Sequence, residues 1–129
     1  MTTLTDARVG VDLVDAGAFQ SRFDGRDDLL GEVFTENELA YCRAQHLPWG
    51  HLAARFAAKE ATLKAIGSGL AGRMWWKDIE VARDAAGAPV LNVSGATGDA
   101  LRREGLGRST VSLSHAGGYA IAVVMLFPA

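Results

Sequence analysis

The sequence predicts an α+β fold, an antiparallel sheet packed against one long central helix, and three observations predict it. Leu52, Phe56, Leu63 and Ile66 recur at turn-like intervals in an alanine-rich stretch, so most of 52–66 is helical. Residues 9–14 form a short β-branched run with the character of a strand. Residues 110–127 hold two strand-like runs joined across Ala116-Gly117-Gly118.

Composition bounds the rest. The chain has 129 residues, 49% of them hydrophobic and 22% charged, which suits one globular domain over 1–129 with a core of its own. A net charge of −2 without a basic run argues against non-specific nucleic-acid binding. Cys42 is the single cysteine, so no internal disulfide forms. No charged-then-apolar leader is visible, and the longest apolar run, 120–127, is too short to span a bilayer. The expectation is a soluble, free-standing cytoplasmic protein.

In chain order, 1–7 is polar and reads as a loose start. Asp12 stands inside the first strand, and a carboxylate among apolar residues needs a partner. A helix cap, an arginine pair and a metal ligand at the strand's end all satisfy that need. Residues 16–23 read as a short helix and 25–28 as a turn, where Arg22 and Arg26 are offset by Asp24, Asp27 and Asp28. Thr35-Glu36-Asn37-Glu38 has the form of a capping box, opening a helix through about Arg43. Pro48 and Gly50 break that helix before the central one begins, and Arg43, His46 and His51 around the break read as surface residues.

Within the central helix, Ala53, Ala57 and Ala61 form a second stripe, small enough for another element to approach closely. Gly67-Ser68-Gly69 ends the helix and opens a flexible loop. Residues 75–82 read as a strand, 84–87 as a hairpin turn and 89–93 as the returning strand. Trp75 and Trp76 then face opposite ways, one to the core and one to an interface. Ser94 caps a helix over 96–104, ended by Gly105 and Gly107. Ser112 and Ser114 share a face of the following strand, with His115 at its end beside glycine.

Arg55, Lys59, Glu60 and Lys64 are the charged residues of the central helix. Glu60 and Lys64 lie four apart, and alone they read as an ordinary solvated ion pair. The glycine-rich loop directly beyond offers backbone N–H groups to a phosphate, however. A carboxylate between two lysines also suits Mg²⁺ when a ligand's phosphates complete its shell. One cysteine and three scattered histidines give no zinc pattern, and Ser112 or Ser114 with His115 lacks a nucleophile elbow.

Three stretches stand together: Gly10-Val11-Asp12, then Arg55-Phe56-Ala57-Ala58-Lys59-Glu60-Ala61 with Lys64-Ala65-Ile66-Gly67-Ser68-Gly69, then Ser112-Leu113-Ser114-His115 followed by Ala120 and Ala122. In order and separation they resemble the holo-acyl-carrier-protein synthase family of 4′-phosphopantetheinyl transferases, over about 9–124. The resemblance implies that family's fold and its reaction. The phosphopantetheine arm of coenzyme A passes to a serine of an apo carrier protein, releasing adenosine 3′,5′-bisphosphate. It implies Asp12 and Glu60 as ligands of Mg²⁺, with Mn²⁺ an alternative. Lys64, Gly67, Ser68 and His115 would hold coenzyme A phosphates, and Lys64 would also serve the leaving oxygen. Glu60, or a metal-bound water near it, would take the serine proton. Arg55 would contact coenzyme or carrier, or else pair on the helix. Small members of the family commonly form homotrimers with the coenzyme between subunits.

One stretch departs from the family. The helix after the aspartate usually carries basic residues that grip an acidic carrier, whereas here it reads Ala16-Gly17-Ala18-Phe19. The expectation is a less acidic carrier, as in a polyketide or other specialised pathway, met through apolar contacts around Phe19 and Phe23. The alternative to an active enzyme is an idle homologue that binds coenzyme A or a carrier. Asp12, Glu60, Lys64 and His115 together argue against it, since binding alone does not require both metal ligands.

Overall fold

The structure is a computed structural model that describes residues 6–129. Most of the expected loose start therefore lies outside the described residues. The chain begins with β1 (Arg8–Asp15) and four helices, α1 (Ala16–Phe23), α2 (Asp27–Val33), α3 (Glu36–Arg43) and α4 (Pro48–Ile66). A single 3-10 turn (Trp76–Asp78) leads into β2 (Ile79–Arg83) and β3 (Pro89–Val93), followed by α5 (Gly95–Arg103), β4 (Leu106–Ala116) and β5 (Tyr119–Pro128). The strands form two antiparallel sheets: β1-β5-β4 in that order, and the β2-β3 hairpin. The three-stranded sheet packs against α4, as the α+β reading expects.

The β1 backbone approaches α4 very closely at Gly10. A Cβ built there would lie 1.9 Å from the Ala61 carbonyl oxygen and 2.9 Å from the Ala65 nitrogen. No real Cβ contact is that short, so only glycine lets the β1 backbone lie on α4, and only the small stripe of α4 receives it. β1 runs antiparallel to the helix. Arg8 Nη1 donates to the Ile66 carbonyl at 2.8 Å, capping the helix's last turn, while Asp12 reaches Lys64 further up.

Two apolar clusters flank α4. One joins Ala57, Ala61, Leu63 and Ile66 to Ile79, Val81, Leu106 and Val124. The other sets Phe19, Phe23 and Phe34 against Leu52, Ala53 and Ala54. Its rings interlock, with Phe19 4.6 Å from Phe23 and 5.5 Å from Phe56 between centroids. Phe19 and Phe23 are thus core residues, which corrects their expected role as docking contacts. The exposed side of α1 consists of Gly17, Ala18, Gln20, Ser21 and Arg22.

The capping box on α3 is complete: Thr35 Oγ1 accepts from the Glu38 N–H, and Glu38 Oε1 accepts from the Thr35 N–H. Elsewhere the elements shift. The charged 25–28 segment is a turn only to Arg26, and Asp27 and Asp28 begin α2, where their charges favour a helix N-terminus. Pro48 opens α4 as its first residue, where its missing N–H costs nothing. The strand expected over 75–82 starts only at Ile79, because the 3-10 turn occupies its front. Trp75 is exposed there, while Trp76 packs on Phe56 with centroids 5.2 Å apart. Ser94 stands at the N-cap of α5 without a capping bond from its side chain. Asp78 Oδ2 instead accepts from the Thr97 N–H and hydroxyl, anchoring the helix from outside.

Candidate active site

The contact at Gly10 decides what meets across β1 and α4. Asp12 lies two residues along the strand on the same face, and Lys64 one turn along the helix from Ala61. Lys64 Nζ donates to Asp12 Oδ1 at 2.8 Å and to the Val11 carbonyl at 3.1 Å. The i,i+4 ion pair with Glu60 that the sequence alone suggested is not what Lys64 makes. Nor does Asp12 cap a helix or pair with an arginine. The cap on α1 is Asp15, whose Oδ1 accepts from the Ala18 N–H at 3.0 Å.

Glu60 completes the group. Partial burial pushes its carboxyl above the usual range, the Asp12 charge adds to this, and Lys64 opposes it. The ammonium of Lys64 is held above its ordinary value by its hydrogen bond to Asp12. Two carboxylates in each other's field thus share one exposed lysine. This is an oxygen-only donor pair with negative charge in excess, and it fits Mg²⁺, which takes one or two carboxylates and fills its octahedron with waters and substrate phosphates.

Glu60 and Lys64 form a ridge between two cavities. One, of about 470 Å³, is lined by Leu63, the Gly67-Ser68-Gly69 loop, Leu70 and Trp76. Gly67 takes φ +95°, the left-handed conformation that ends α4 and turns the chain into this loop. The other, of about 460 Å³, lies on the Asp12 side and is bounded by Val14, Asp15, α1 and Phe56. The structure therefore brings Asp12, Glu60, Lys64, Gly67 and Ser68 together.

Arg55 and His115 lie elsewhere. They line a third cavity, of about 190 Å³, with Tyr41, His51, Arg83 and Leu113. Arg55 is 4% exposed, and its Nε has no hydrogen-bond partner. Its guanidinium and that of Arg83 both sit over the Tyr41 ring, 4.4 and 4.1 Å from the centroid. Among the described residues no carboxylate lines this pocket. The helix pair that would have made Arg55 an ordinary surface residue is absent among the described ion pairs. A buried donor left unmet beside a second arginine is an anion site by its chemistry.

Sequence reading missed several residues around these cavities. Lys59 and Glu38 form a fully buried ion pair of 2.8 Å. Glu38 was legible only as a cap, and nothing local showed that its second oxygen accepts the Val81 N–H at 2.9 Å. Tyr41 and Arg83 carry no motif at all. His51, expected at the surface, is half-buried with its ring 5.3 Å from that of His115.

Comparison with known proteins follows the same lines. The family model of the 4′-phosphopantetheinyl transferase superfamily matches residues 8–124. The holo-[acyl-carrier-protein] synthase of Moorella thermoacetica is 44% identical over 117 residues, 91% of each chain. That of Geotalea daltonii is 43% identical over 119 residues, covering 91% of this chain and 94% of the relative. Among solved structures, a Chronobacterium ammoniagenes synthase in complex with CoA superposes with a TM-score of 0.83 at 29% identity, covering 96% and 98% of the two chains. The Mycobacterium tuberculosis acyl carrier protein synthase has a TM-score of 0.72 at 36% identity over 95% and 97%.

Proposed function

The chain belongs to the 4′-phosphopantetheinyl transferase superfamily, and from that premise we propose the roles of its residues in a holo-acyl-carrier-protein synthase reaction. The enzyme transfers the 4′-phosphopantetheine arm of coenzyme A to a serine of an apo acyl carrier protein. The serine Oγ–P bond forms, the bond from that phosphorus to the adenosine bisphosphate breaks, and the serine proton is released. The observation that carries the assignment of roles is the meeting of Asp12, Glu60 and Lys64 across β1 and α4.

Asp12 and Glu60 are the residues that would hold Mg²⁺, or Mn²⁺ in its place. A bound cation of this kind supplies charge neutralisation at the attacked phosphate and on the leaving bisphosphate. Glu60, or a water beside it, takes the serine proton. Lys64 exchanges Asp12 for phosphate oxygens and stabilises charge on the leaving oxygen. Gly67 and Ser68 cradle the pyrophosphate from the loop, and the serine enters on the Asp12 side, beside α1. Arg55 and His115 hold a further phosphate of coenzyme A.

Two observations support a homotrimer with the coenzyme between copies. The Arg55 and Asp12 cavities share no lining residue within one chain. Val9, Val11 and Leu13 of β1 pair with Met125, Val123 and Ile121 of β5, and all six are exposed, giving the sheet an apolar outer face. The β-branched run of β1 suits a buried strand, but within one chain only one face of it is covered. The exposed side of α1, with a single basic residue, favours a carrier less acidic than the usual one, of polyketide or other specialised-pathway type. Among the described residues no helix is long and apolar enough to cross a membrane. A single domain over 1–129 in the cytoplasm belongs to the same reading.

The test is the intact mass of several apo carriers, graded in acidity, after incubation with the protein, coenzyme A and Mg²⁺. One added phosphopantetheine is expected, lost with Glu60→Ala and with a chelator. Transfer that survives Glu60→Ala would remove Glu60 from both of its roles.

A further inference from the structure

We propose that His51 is a ligand of the coenzyme phosphate held by Arg55, and that this pocket takes up one proton at His51 when the phosphate binds. The proposal rests on the assignment of the Arg55–His115 pocket to coenzyme A.

The pocket is lined by α3, α4, β2, β3, β4 and the turn between β2 and β3, and the charged or titratable groups among its lining residues, besides His51, can be named. They are Tyr41 from α3, Arg55 from its own helix, Arg83 from β2 and His115 from β4. The His51 ring stands edge-on to both His115 and Tyr41, with centroids 5.3 and 6.1 Å away. Arg55 lies one turn along α4 and donates from Nη1 to the His51 carbonyl at 3.4 Å. Thus two guanidiniums and two imidazoles converge on a cavity of about 190 Å³, with room for a phosphate group and no carboxylate among its lining residues.

The protein groups around it disfavour charge on His51. Partial burial is the main cause of its lowered pKa, and the neighbouring His115 and Arg55 add to it. A phosphate dianion opposes the neighbouring positive charge and outweighs the cost of burial. It brings negative charge among the arginines, meets the partnerless Arg55 Nε and offers acceptors to an imidazolium. The proton comes from solvent, and no bond other than N–H is made. A phosphomonoester has its second pKa near 6, so near pH 7.5 the ligand arrives mostly as the dianion. Affinity should therefore strengthen as pH falls from 8.5 towards 6.5, by up to about tenfold per unit for a single linked proton.

The experiment is titration calorimetry of coenzyme A into the full chain with Mg²⁺ at pH 7.5, in buffers of different ionisation enthalpy. The buffer dependence of the heat counts protons taken up. His51→Phe keeps an aromatic ring against Tyr41 and His115, and His51→Gln keeps a neutral donor, so at least one folded variant is available. Both are expected to lose most of the proton uptake, and His51→Phe to weaken binding about tenfold at pH 6.5 and less at pH 8.5. Unchanged proton uptake in both variants, with binding still weakened by Arg55→Gln, overturns the role of His51 and leaves the coenzyme assignment standing. Binding unaffected by Arg55→Gln places the coenzyme elsewhere and overturns both.

Discussion

Two lysines five residues apart on α4 make the same kind of ion pair and do opposite things. Lys59 is fully buried and donates to Glu38 Oε1 at 2.8 Å, to the Ile79 carbonyl at 2.5 Å and to the Trp76 carbonyl at 3.2 Å. Three acceptors use all three N–H bonds of an ammonium, so Lys59 stays charged although burial pulls its pKa down. Lys64 has a side chain 55% exposed and holds Asp12, itself 15% exposed. A buried pair is costly to break because the remaining charge has no water, whereas an exposed pair gains little and is exchanged cheaply. Lys59 therefore sets the frame, tying α3, α4 and β2 together and holding Trp76 on the wall of the loop cavity. Lys64 is free to leave its carboxylate for a phosphate.

Breaking the buried member should give the larger change in stability. Lys59→Met leaves Glu38 with only the Thr35 and Val81 N–H groups, and a loss of about 3–5 kcal/mol is expected. That is a large part of the 5–15 kcal/mol typical of a domain. Urea unfolding measures it, and a loss below about 1 kcal/mol would remove the contrast between the two pairs.

Lys64→Met sharpens the comparison from the other side. Transfer of phosphopantetheine should slow by about 10²–10³-fold, as for loss of one transition-state donor. Stability should change by less than about 1 kcal/mol, as for an exposed pair. Steady-state kinetics beside a urea curve decides it, and a stability loss matching that of Lys59→Met would make Lys64 a structural residue.

The smallest expected change in stability concerns Glu60, which follows Lys59 and precedes Lys64 by one turn. Its folded pKa is raised, so the folded chain binds its proton more tightly than the unfolded chain does. Stability of the metal-free protein then falls as pH rises from about 4.5 through the raised value, and the deficit persists at pH 7. Glu60→Gln should abolish transfer yet raise the metal-free melting temperature at pH 7 by about 1–3 °C. The gain should vanish below pH 4, where the native carboxyl is neutral in both states. A variant that melts lower than the parent at pH 7 would mean that Glu60 is not strained by Asp12 and burial.

Much of this was legible locally. The central helix, its glycine end, the complete capping box at Thr35 and Glu38, the 84–87 turn and the final hairpin follow from residue type and period. α2 and the 3-10 turn at Trp76 were not, because short helical turns leave too few residues for a period to show. The core position of Phe19 and Phe23 was not legible either, since an eight-residue helix, taken alone, does not say which side meets the core. At the site, the motif named Asp12, Glu60, Lys64, Gly67 and Ser68, and the structure gathers those five. It sets Arg55 and His115 apart, together with His51, Tyr41 and Arg83, which no local pattern connects.

By itself the sequence determined most of the longer elements, the apolar stripe of the central helix and which side chains can do chemistry. Those depend on spacing within a few residues, where backbone geometry allows little choice. Only the tertiary structure decided the pairings. Lys64 meets Asp12, 52 positions away, because Gly10 lets β1 lie on Ala61. Lys59 meets Glu38 because α3 and β2 close over it. The two lysines look alike in sequence, and what separates them is how much water each pair keeps once the sheet and helices have closed.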